Sequence, residues 1–436
     1  MALLLLMMLQ GATGIIPVRH LAGAYVGEER PRLSWAGFVS GEWQSQCDRY
    51  AKEHHGFREG AIRLHNQYLW TCYHRTPNYG SVLIGRNDYL FEPFFVDDYY
   101  EGCMYQYADS PDEMMLIFRR TASRLAKVQE ILEQQGTHLF VACLPGKDRI
   151  YPQYLPGRGN RTRTKYLTAA DTYPGLFDSC GVRYVDVCHW FDRLNGHVPY
   201  RLFTQTGTHW SRIACAYAFD SIMRYMQTFG PAIAPVELGE PYYASRREPD
   251  ADLDELLNKI FYIPTERNQY VDITVPHPAP EAERPSLVDI GDSFFWTVLY
   301  NYPIQDLFSH FRYWYYFSTI YYDSDHDNVE NIDLVDQLLS ADYVMLSYCT
   351  VQLYKLGNGF VNRALLELCY DADEIAAVRD SLAADTTNAL SVDERIDRDL
   401  ETLFPALAED HPAKRCRRLS QMAASNPASH RLLKGF

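Results

Sequence analysis

A series of short apolar runs separated by helical patterns constrains the fold of this chain more than any other feature. The first run, His138–Leu144, is continuously apolar, as is typical of a strand buried on both faces of a parallel sheet. Similar runs lie at 182–187, 286–290, 313–320 and 343–347, with helical patterns between them, notably at 211–229 and 329–339. Strands that alternate with helices predict an α/β domain with a mainly parallel sheet.

This α/β domain is predicted to span residues 110–375, with additions on both sides. A Ser-Pro-Asp-Glu sequence at 110–113 has the pattern of a capping box and opens the first helix. Residues 26–109 are predicted to form an α+β lead-in, made of a helix pair and a hairpin at 81–91, with no visible chemistry. Residues 376–436 are polar and helical in pattern, so we expect a peripheral helical extension.

Residues 1–25 are predicted to be a truncated signal peptide or membrane anchor. The apolar stretch at 2–9, ALLLLMML, is shorter than the ~20 residues that span a bilayer, and a basic segment before it is missing. We therefore expect that the first residues of the signal are absent from this reading frame. Residues 22–24, Ala-Gly-Ala, resemble a cleavage site but stand apart from the apolar stretch, which favours retention as an anchor. A buried N-terminal helix is the alternative.

Charge and cysteine spacing exclude several classes of function. The 41 Lys and Arg residues against 56 Asp and Glu residues give a formal net charge of −15, which disfavours a nucleic-acid partner. The closest of the 10 cysteines, Cys180 and Cys188, are too far apart for a Cys-x-x-Cys site. We expect mostly buried, unpaired thiols, with one or two disulfides if the compartment is oxidising. The acidic loop at 323–328 departs from a calcium-binding pattern and is predicted to cap a helix at Val329.

Ser293 is the strongest candidate for chemistry. The run 286–290 is followed by Gly291-Asp292-Ser293 and then by a helical pattern, so Ser293 would lie at the carboxyl edge of the sheet, where open α/β folds bind ligands. The helix N-terminus there would supply backbone N–H donors for an oxyanion, including that of Ser293 itself. A helix-capping turn explains the same three residues equally well.

His209 is the candidate base, because a serine nucleophile needs a base within hydrogen-bonding reach. It lies in the loop 206–211, Thr-Gly-Thr-His-Trp-Ser, just before a helical pattern and among small polar residues, whereas a core histidine more often lies on an apolar face. If the pair acts together, the side chains of Ser293 and His209 lie within a few ångströms at one edge of the sheet.

Several motifs in a fixed order resemble those of a known family. They are 35–58 ending in Gly-Phe-Arg, 82–86 (Val-Leu-Ile-Gly-Arg) with 89–92 (Tyr-Leu-Phe-Glu), 145–152 (Pro-Gly-Lys-Asp-Arg-Ile-Tyr-Pro) with 155–156 (Leu-Pro), 209–211 (His-Trp-Ser), 291–294 (Gly-Asp-Ser-Phe), and 342–346 (Asp-Tyr-Val-Met-Leu) with 353–354 (Leu-Tyr). Over about residues 36–370 the sequence resembles the alginate O-acetyltransferase group of AlgJ/AlgX-like proteins, which carry an SGNH-hydrolase-like domain.

The resemblance implies a fold and roles for particular residues. The fold would be an SGNH-like three-layer α/β/α sandwich, with Ser293 as nucleophile and His209 as base. Lys147 follows the first strand of the sheet, so by position it would lie at the same edge and contact an acidic glycan or an oxyanion; a solvated loop lysine explains it equally well. The remaining predicted site residues, expected to contact substrate or an oxyanion, are Asp292, Trp210 and Tyr354.

The sequence departs from the family pattern at Gly207, because the family carries Asp two residues before the histidine. That carboxylate would hold the imidazole tautomer. No Asp or Glu lies between Asp192 and Asp220, so a distant carboxylate or a backbone carbonyl orients His209, or the enzyme is weakened or inactive. We expect a working site and a loop settled around glycine, which would be needed there for a positive φ.

The resemblance also implies a function in the cell envelope. Ser293 would take an acetyl group and pass it to a hydroxyl of an exopolysaccharide. A membrane-bound O-acyltransferase would be the partner that supplies the acetyl group. The protein would lie in the periplasm, held at the inner membrane by its N-terminal segment, and would need no metal or nucleotide cofactor.

Two other classes remain open. One is a carbohydrate acetyl esterase, which uses the same chemistry with water as acceptor. The other is a non-catalytic glycan-binding or scaffold protein of the same fold, which Gly207 and the 14% aromatic content would favour.

Overall fold

The helices and strands follow from a computed structural model that describes residues 2–17, 19–23, 29–77, 81–102, 110–157, 162–164, 168–385 and 390–408. The strands are β1 Leu83–Ile84, β2 Leu90–Phe91, β3 His138–Leu144, β4 Tyr184–Asp186, β5 Glu237–Leu238, β6 Tyr242–Ala244, β7 Asn268–Tyr270, β8 Ile273–Thr274, β9 Leu287–Gly291, β10 Phe311–Tyr315, β11 Thr319–Tyr321 and β12 Tyr343–Cys349. The helices are α1 Ala2–Thr13, α2 Trp35–Ser40, α3 Glu42–His54, α4 Arg58–Tyr73, α5 Pro93–Glu101, α6 Pro111–Gln134, α7 Lys147–Ile150, α8 Ala169–Cys180, α9 Val187–Leu194, α10 Arg212–Met226, α11 Asp252–Leu256, α12 Phe295–Asn301, α13 Ile304–Leu307, α14 Leu334–Leu339, α15 Phe360–Cys369, α16 Ala372–Ala384 and α17 Val392–Leu403. Short 3₁₀ helices lie at Arg86–Asp88, Pro152–Tyr154, Glu281–Glu283, Val329–Asn331, Leu353–Lys355 and Pro405–Ala408.

The central sheet has the strand order β11-β10-β9-β12-β3-β4. Its strands are parallel except β11, which pairs antiparallel with β10 at the edge. The parallel strands β3, β4, β9 and β12 are those that the apolar runs predict, with ends shifted by at most one or two residues. Because β3, β9 and β12 run parallel, their carboxyl ends, at Leu144, Gly291 and Cys349, meet at one edge of the sheet.

Two large apolar clusters cover the two faces of this sheet. Val141 and Leu139 of β3 pack with side chains of α6, α8, α14 and α15 on one face. Phe140 and Ala142 pack with side chains of α9, α10 and α12 on the other, because successive strand residues point to opposite faces. The fold is therefore a three-layer α/β/α sandwich with a mainly parallel sheet, as predicted.

The prediction of one strand at 313–320 is wrong, because this stretch forms the hairpin β10–β11. Trp314 pairs with Ile320 across it, and the turn contains Tyr316 and Phe317 at φ 50° and 49°. Bulky side chains rarely adopt positive φ, and the stretch has no Gly, Pro or Asn to signal a turn. The apolar pattern alone therefore could not show the reversal.

The lead-in has the predicted elements. The helix pair is α3 and α4, and the hairpin is β1 with β2, in which Leu83 pairs with Phe91. The next helix, α6, begins as predicted: the Ser110 side chain accepts a hydrogen bond from the Glu113 backbone N–H at 3.2 Å. The boundaries of the four segments at 1–25, 26–109, 110–375 and 376–436 stay predictions.

An excursion between α10 and β9, at residues 231–285, has no counterpart in the sequence predictions. It contains the antiparallel pairs β5–β8 and β6–β7, and the short helix α11. Leu253 and Leu257 pack with Val82 and Leu90 of the lead-in in a small core of their own. The lead-in thus packs against α11 and helps to hold it in place.

The C-terminal extension is not peripheral between residues 392 and 407, contrary to the prediction. Its apolar side chains are buried in the cluster that also contains α6: Ile396, Leu400, Phe404 and Leu407. The guanidinium of Arg124 on α6 forms a two-pronged ion pair with Glu401, with both N–O distances 2.7 Å. The polar composition of this segment hid the apolar stripe on one helix face.

The apolar N-terminal stretch forms α1. Leu5 and Met8 are 59% and 70% exposed, so the alternative of a buried helix does not hold. Among the described residues, no helix combines the length and apolar character needed to cross a membrane.

The structure also bears on the predictions made for the cysteines and for the acidic loop at 323–328. Among the described residues, seven cysteines have free thiols: Cys47, Cys72, Cys143, Cys180, Cys188, Cys215 and Cys349. Cys103 and Cys416 lie outside the described residues. The Asn328 side chain accepts a hydrogen bond from the Glu330 N–H, so the loop caps the turn at Val329 as predicted. Within the described ranges, no group of three or more His, Cys, Asp or Glu side chains is arranged to hold a metal ion.

Candidate active site

Ser293 lies just beyond the carboxyl end of β9, at the predicted edge of the sheet. Gly291 cannot carry a side chain, because a Cβ there would lie 2.2 Å from Ser347 Oγ. Ser293 is partly exposed, whereas its neighbours Asp292 and Phe294 are buried. The tight strand end therefore presents one hydroxyl group to solvent.

The structure brings the side chain of His209 to Ser293. The distance from His209 Nε2 to Ser293 Oγ is 3.0 Å. The two loops are also joined by Trp210, whose indole N–H donates to the Phe294 carbonyl at 3.1 Å. The close approach expected from the sequence is therefore present.

Asp252, at the first position of α11, lies on the other side of the imidazole. Its Oδ2 is 2.5 Å from His209 Nδ1, although the two residues are 43 positions apart. Its Oδ1 accepts hydrogen bonds from the backbone N–H groups of Thr208 and Leu253, both at 2.8 Å. Of the alternatives that the sequence left open for orienting His209, the structure has the distant carboxylate.

The loop that carries His209 and the segment that carries Asp252 are bound to each other along their length. Thr204 Oγ1 donates to the Asp250 carbonyl at 2.7 Å, and the Asp254 N–H donates to the Thr206 carbonyl at 3.2 Å. These bonds fix the separation of the imidazole and the carboxylate.

Gly207 lies where the backbones of the two segments approach each other closely. A Cβ at this position would lie 2.6 Å from Thr204 Oγ1 and 2.9 Å from the carbonyl oxygens of Pro249 and Asp250. Its φ is not positive, so the expected reason for glycine is wrong. The absence of a side chain instead lets the 249–252 segment approach and place Asp252 beside His209.

The negative charges around His209 raise the pKa of its imidazole, which favours the role of a proton acceptor. Burial disfavours the imidazolium, yet the charge and hydrogen bond of Asp252, with help from the carboxylates of Glu92 and Asp292, raise the pKa of His209. With Nδ1–H donated to Asp252, the neutral ring leaves Nε2 free to accept the proton of Ser293.

Glu92 is a further carboxyl group at the site. It is partly buried at the start of α5, and its charge acts on His209, Tyr315 and Cys349. Burial and the nearby carboxylate of Asp252 raise the pKa of Glu92 to about 7. A carboxyl group with this pKa changes its charge within the physiological range.

Two hydrogen-bond donors lie beside the hydroxyl of Ser293: its own backbone N–H and the hydroxyl of Tyr316. The backbone N–H of Ser293 has no hydrogen-bond partner among the described residues. Burial and the charge of Asp292 raise the pKa of Tyr316, against a side-chain hydrogen bond with Ser293, so its hydroxyl keeps its proton. Preorganised donors of this kind stabilise tetrahedral intermediates.

The side chain of Lys147 is buried and is not exposed to a substrate, contrary to the prediction. It is only 1% exposed, and its Nζ donates to the carbonyls of Leu90, Gln205 and Gly207 at 2.8, 3.0 and 2.7 Å. Burial lowers the pKa of Lys147 to about 7, against the charges of Asp252 and Glu92. Its amine joins the hairpin to the His209 loop and does not reach a glycan or an oxyanion.

The other predicted binding residues are also buried. Asp292 is inaccessible, and its carboxylate accepts hydrogen bonds from the N–H groups of Phe294 and Cys349 at 3.0 and 2.7 Å. Trp210 is 1% exposed, and Tyr354 packs in the cluster on the other face of the sheet. Asp292 and Trp210 therefore shape the turn and the loop, and direct substrate contact by these three residues is excluded by their burial.

Sequence reasoning missed Asp252, Glu92 and Tyr316. Asp252 lies in a plain acidic stretch, 250–255, with no motif around it. Glu92 ends a motif that had been singled out, so its carboxyl group was a usable signal. Tyr316 lay inside the stretch wrongly predicted as one strand.

A hydroxyl, an imidazole and a carboxylate thus form one hydrogen-bonded chain at the carboxyl edge of an α/β/α sandwich. This is the geometry with which Ser-His-Asp enzymes activate a serine for acyl transfer. Residues 100–292, which end next to Ser293, match the family model ALGX, described as "SGNH hydrolase-like domain, acetyltransferase AlgX". Residues 100–292 are therefore similar to an SGNH hydrolase-like domain of the acetyltransferase type, and the resemblance of the chain to the AlgJ/AlgX-like family is confirmed.

Comparison with solved structures finds relatives with low sequence identity. The O-acetyltransferase domain of Pseudomonas putida AlgJ is 15% identical, with 69% of this chain and 99% of that chain covered and a TM-score of 0.43. Pseudomonas aeruginosa AlgX is 9% identical, with 65% and 68% covered and a TM-score of 0.39. Bacillus cereus PatB1 is 12% identical, with 62% and 96% covered and a TM-score of 0.38. Comparison with curated proteins finds no match.

Proposed function

We propose that the protein is an O-acetyltransferase that carries an acetyl group on Ser293 and transfers it to a hydroxyl of a polysaccharide. The observation that carries the proposal is the chain from Ser293 Oγ to His209 Nε2 at 3.0 Å and from His209 Nδ1 to Asp252 at 2.5 Å. The match of residues 100–292 to an acetyltransferase domain supports acetyl as the group transferred.

In the first half-reaction, Ser293 Oγ attacks the carbonyl carbon of an acetyl donor. His209 Nε2 takes the hydroxyl proton, and Asp252 stays ionised and stabilises the imidazolium. The Ser293 N–H and the Tyr316 hydroxyl donate to the oxyanion. The intermediate then expels the donor's leaving group, which takes the proton from His209, and acetyl-Ser293 remains.

In the second half-reaction, a saccharide hydroxyl takes the place of the leaving group. His209 removes its proton while its oxygen attacks the acetyl carbon of acetyl-Ser293. Collapse of the intermediate forms the sugar acetate and returns the proton to Ser293. Water in the same position would give acetate, which is the esterase alternative.

The acetyl donor and the location form part of the same proposal. A membrane-bound O-acyltransferase would deliver the acetyl group, and the protein would work in the periplasm, held near the inner membrane by its N-terminal segment. The resemblance of the motifs to the AlgJ/AlgX group supports this, and so does the exposed apolar surface of α1.

The proposal is tested by trapping the serine. We expect a sulfonyl fluoride to modify wild-type protein at Ser293 only, with loss of fluoride, and Ser293→Ala to be neither modified nor active on p-nitrophenyl acetate. Ser179→Ala, at an exposed serine on α8, is the matched control. Modification of another residue, or equal turnover by Ser293→Ala, contradicts the proposal. Mass analysis of an oligosaccharide acceptor then distinguishes sugar acetate from free acetate.

A further inference from the structure

A cleft lies at the opposite edge of the sheet from Ser293. It has a volume of about 1250 Å³ and is lined by residues near the amino ends of β9 and β10, by α13 and α14, and by the acidic loop. Arg312 in its wall pairs in register with Val288 of β9, five residues before Ser293, which at ~3.3 Å per residue separates the two sites by on the order of 15 Å. The cleft is therefore distinct from the acyl-transfer centre.

The wall of this cleft contains a polar donor and a polar acceptor that lack partners. Arg312 Nε and Gln337 Oε1 are shielded from water and have no hydrogen-bond partner among the described residues. The Arg312 guanidinium makes one described hydrogen bond, from Nη2 to Ser340 Oγ at 3.3 Å. Buried polar groups without partners destabilise the free protein, so a ligand that supplies partners to Arg312 and Gln337 binds more tightly.

The charges of the lining disfavour an anion. Two guanidinium groups, of Arg284 and Arg312, face a larger set of carboxyl groups in the same lining: Glu281, Asp306, Asp323 and Asp325. A phosphate or carboxylate would suit the arginines but would be repelled by the acids, and a fully ionised anion has no proton to donate to Gln337. A hydroxyl group both donates and accepts, so it suits guanidinium, amide and carboxylate together.

An aromatic surface borders the polar wall. Tyr322 is 53% exposed, and its ring centroid lies 5.3 Å from that of Phe311. Both residues line the cleft. An amphipathic ring of this kind offers an apolar face to the C–H face of a sugar beside groups that bind its hydroxyls.

We infer that this cleft is a binding site for a neutral saccharide chain, with Tyr322 stacking on a sugar ring and Arg312 and Gln337 binding its hydroxyls. The inference stands apart from the acyl-transfer proposal, because it uses no residue of that site. Such a site would hold one part of a polysaccharide while a hydroxyl farther along the same polysaccharide reaches Ser293 at the other edge of the sheet. Binding at the cleft would therefore raise the local concentration of the acceptor hydroxyl at Ser293.

The test measures binding, so it does not depend on turnover. Full-length Ser293→Ala protein is titrated with cellohexaose, with a polyuronate hexasaccharide and with inorganic phosphate. We expect cellohexaose to bind most tightly of the three. Gln337→Leu and Arg312→Met, each added to this background, should weaken its binding by about tenfold, as loss of a hydrogen-bonding partner does. Gln134→Leu, at an exposed end of α6, is the matched control.

Three results would overturn the inference. They are no detectable binding of cellohexaose, tighter binding of the polyuronate or phosphate, and equal binding by both variants and the control. Thermal melting shows whether Arg312→Met stays folded, and Gln337→Leu provides the independent variant if it does not. Arg312→Met made in protein that retains Ser293 should hydrolyse p-nitrophenyl acetate as fast as wild type, so loss of acyl transfer and loss of saccharide binding are told apart.

Discussion

At the scale of single residues, the site depends on three side chains that are far apart in the sequence. His209 and Ser293 are separated by 84 positions, and Asp252 lies between them. The position two before His209, where the family has its aspartate, holds Gly207, and the space left by its missing side chain admits the segment that carries Asp252. The absence of a local carboxylate and the presence of the distant one are thus two parts of one arrangement.

Asp252→Asn should reduce turnover of an acetyl ester by about 10³–10⁴-fold, because an amide no longer stabilises the imidazolium or selects its tautomer. The protein should stay folded, since the amide oxygen can still accept the hydrogen bonds from Thr208 and Leu253. Steady-state kinetics measure the effect, with Asp48→Asn, an exposed carboxylate on α3, as control. Turnover within a factor of about ten of wild type would show that another group orients His209.

Glu92→Gln should move the acidic limb of kcat/KM to lower pH. His209 acts as base only when neutral, and the carboxylate of Glu92 contributes to raising the pKa of His209, so its removal lowers that pKa. The effect is limited to the range in which Glu92 is ionised, above its own pKa of about 7. A pH–rate profile beside that of Glu240→Gln, an exposed glutamate, measures it. A limb that stays in place or moves upward contradicts the assignment of Glu92 to the site.

Gly207→Asp should impair the enzyme, although it restores the aspartate of the family pattern. The new Cβ would press on the Thr204 hydroxyl and on the Pro249 and Asp250 carbonyls, which strains packing by about 1–3 kcal/mol and moves Asp252 from His209. Kinetics and thermal melting test this, with Gly175→Asp, where a Cβ meets nothing within 4 Å, as control. A gain of about tenfold or more in turnover would show that the natural site is limited by its missing local carboxylate.

At the scale of elements, the His209 loop is held by parts of the chain that have no role in chemistry. Lys147, at the start of α7, joins the carbonyl of Leu90 in β2 to those of Gln205 and Gly207 in the loop. The lead-in, which showed no chemistry in the sequence, thus supports both the loop and the excursion that carries α11. These three hydrogen bonds explain why Lys147, which belongs to a loop motif, is buried.

Lys147→Met should destabilise the protein by about 2–5 kcal/mol, because three buried carbonyl groups lose their donor while the volume is nearly kept. Turnover should fall as well, since the Gly207 carbonyl lies two residues before His209. Urea unfolding and ester hydrolysis measure the two effects. The control is Lys52→Met, at an exposed lysine on α3 whose ion pair with Asp48 contributes little. Unchanged stability would show that the carbonyls find other partners.

At the scale of the whole molecule, the lead-in and α17 both pack against the central domain. The lead-in supports the active-site loops, and α17 fills the outer layer over α6. Leu400 is inaccessible in that layer, beside the ion pair of Arg124 and Glu401. The C-terminal extension therefore contributes to the stability of the α/β domain.

Leu400→Ala should lower the free energy of unfolding by about 2–5 kcal/mol, the usual cost of truncating a buried leucine. Leu390→Ala, at a leucine that is 37% exposed, should cost much less and is the matched control. Both variants should keep the pH profile of ester hydrolysis, because neither residue belongs to the active site. Equal stability of the two variants would show that α17 is peripheral after all.

The sequence alone determined the parallel sheet and the edge at which its chemistry lies. Apolar runs and helix caps are local signals that can be read from a few consecutive residues. Parallel strands have their carboxyl ends at the same edge of the sheet whatever their order in it, so the run that forms β9 was enough to place Ser293 at that edge. His209 was also recognisable from a local signal, because the residues next to it are those of a polar loop before a helix.

Only the tertiary structure decided what surrounds these two residues. Asp252 reaches His209 because Leu253 and Leu257 pack on the lead-in and because Gly207 leaves room, and these contacts join segments far apart in the chain. The burial of Lys147 is decided in the same way, by partners in β2 and in the His209 loop. Patterns of a few residues record the local preferences of the backbone, whereas hydrogen bonds between distant loops depend on how the packed layers bring those loops together.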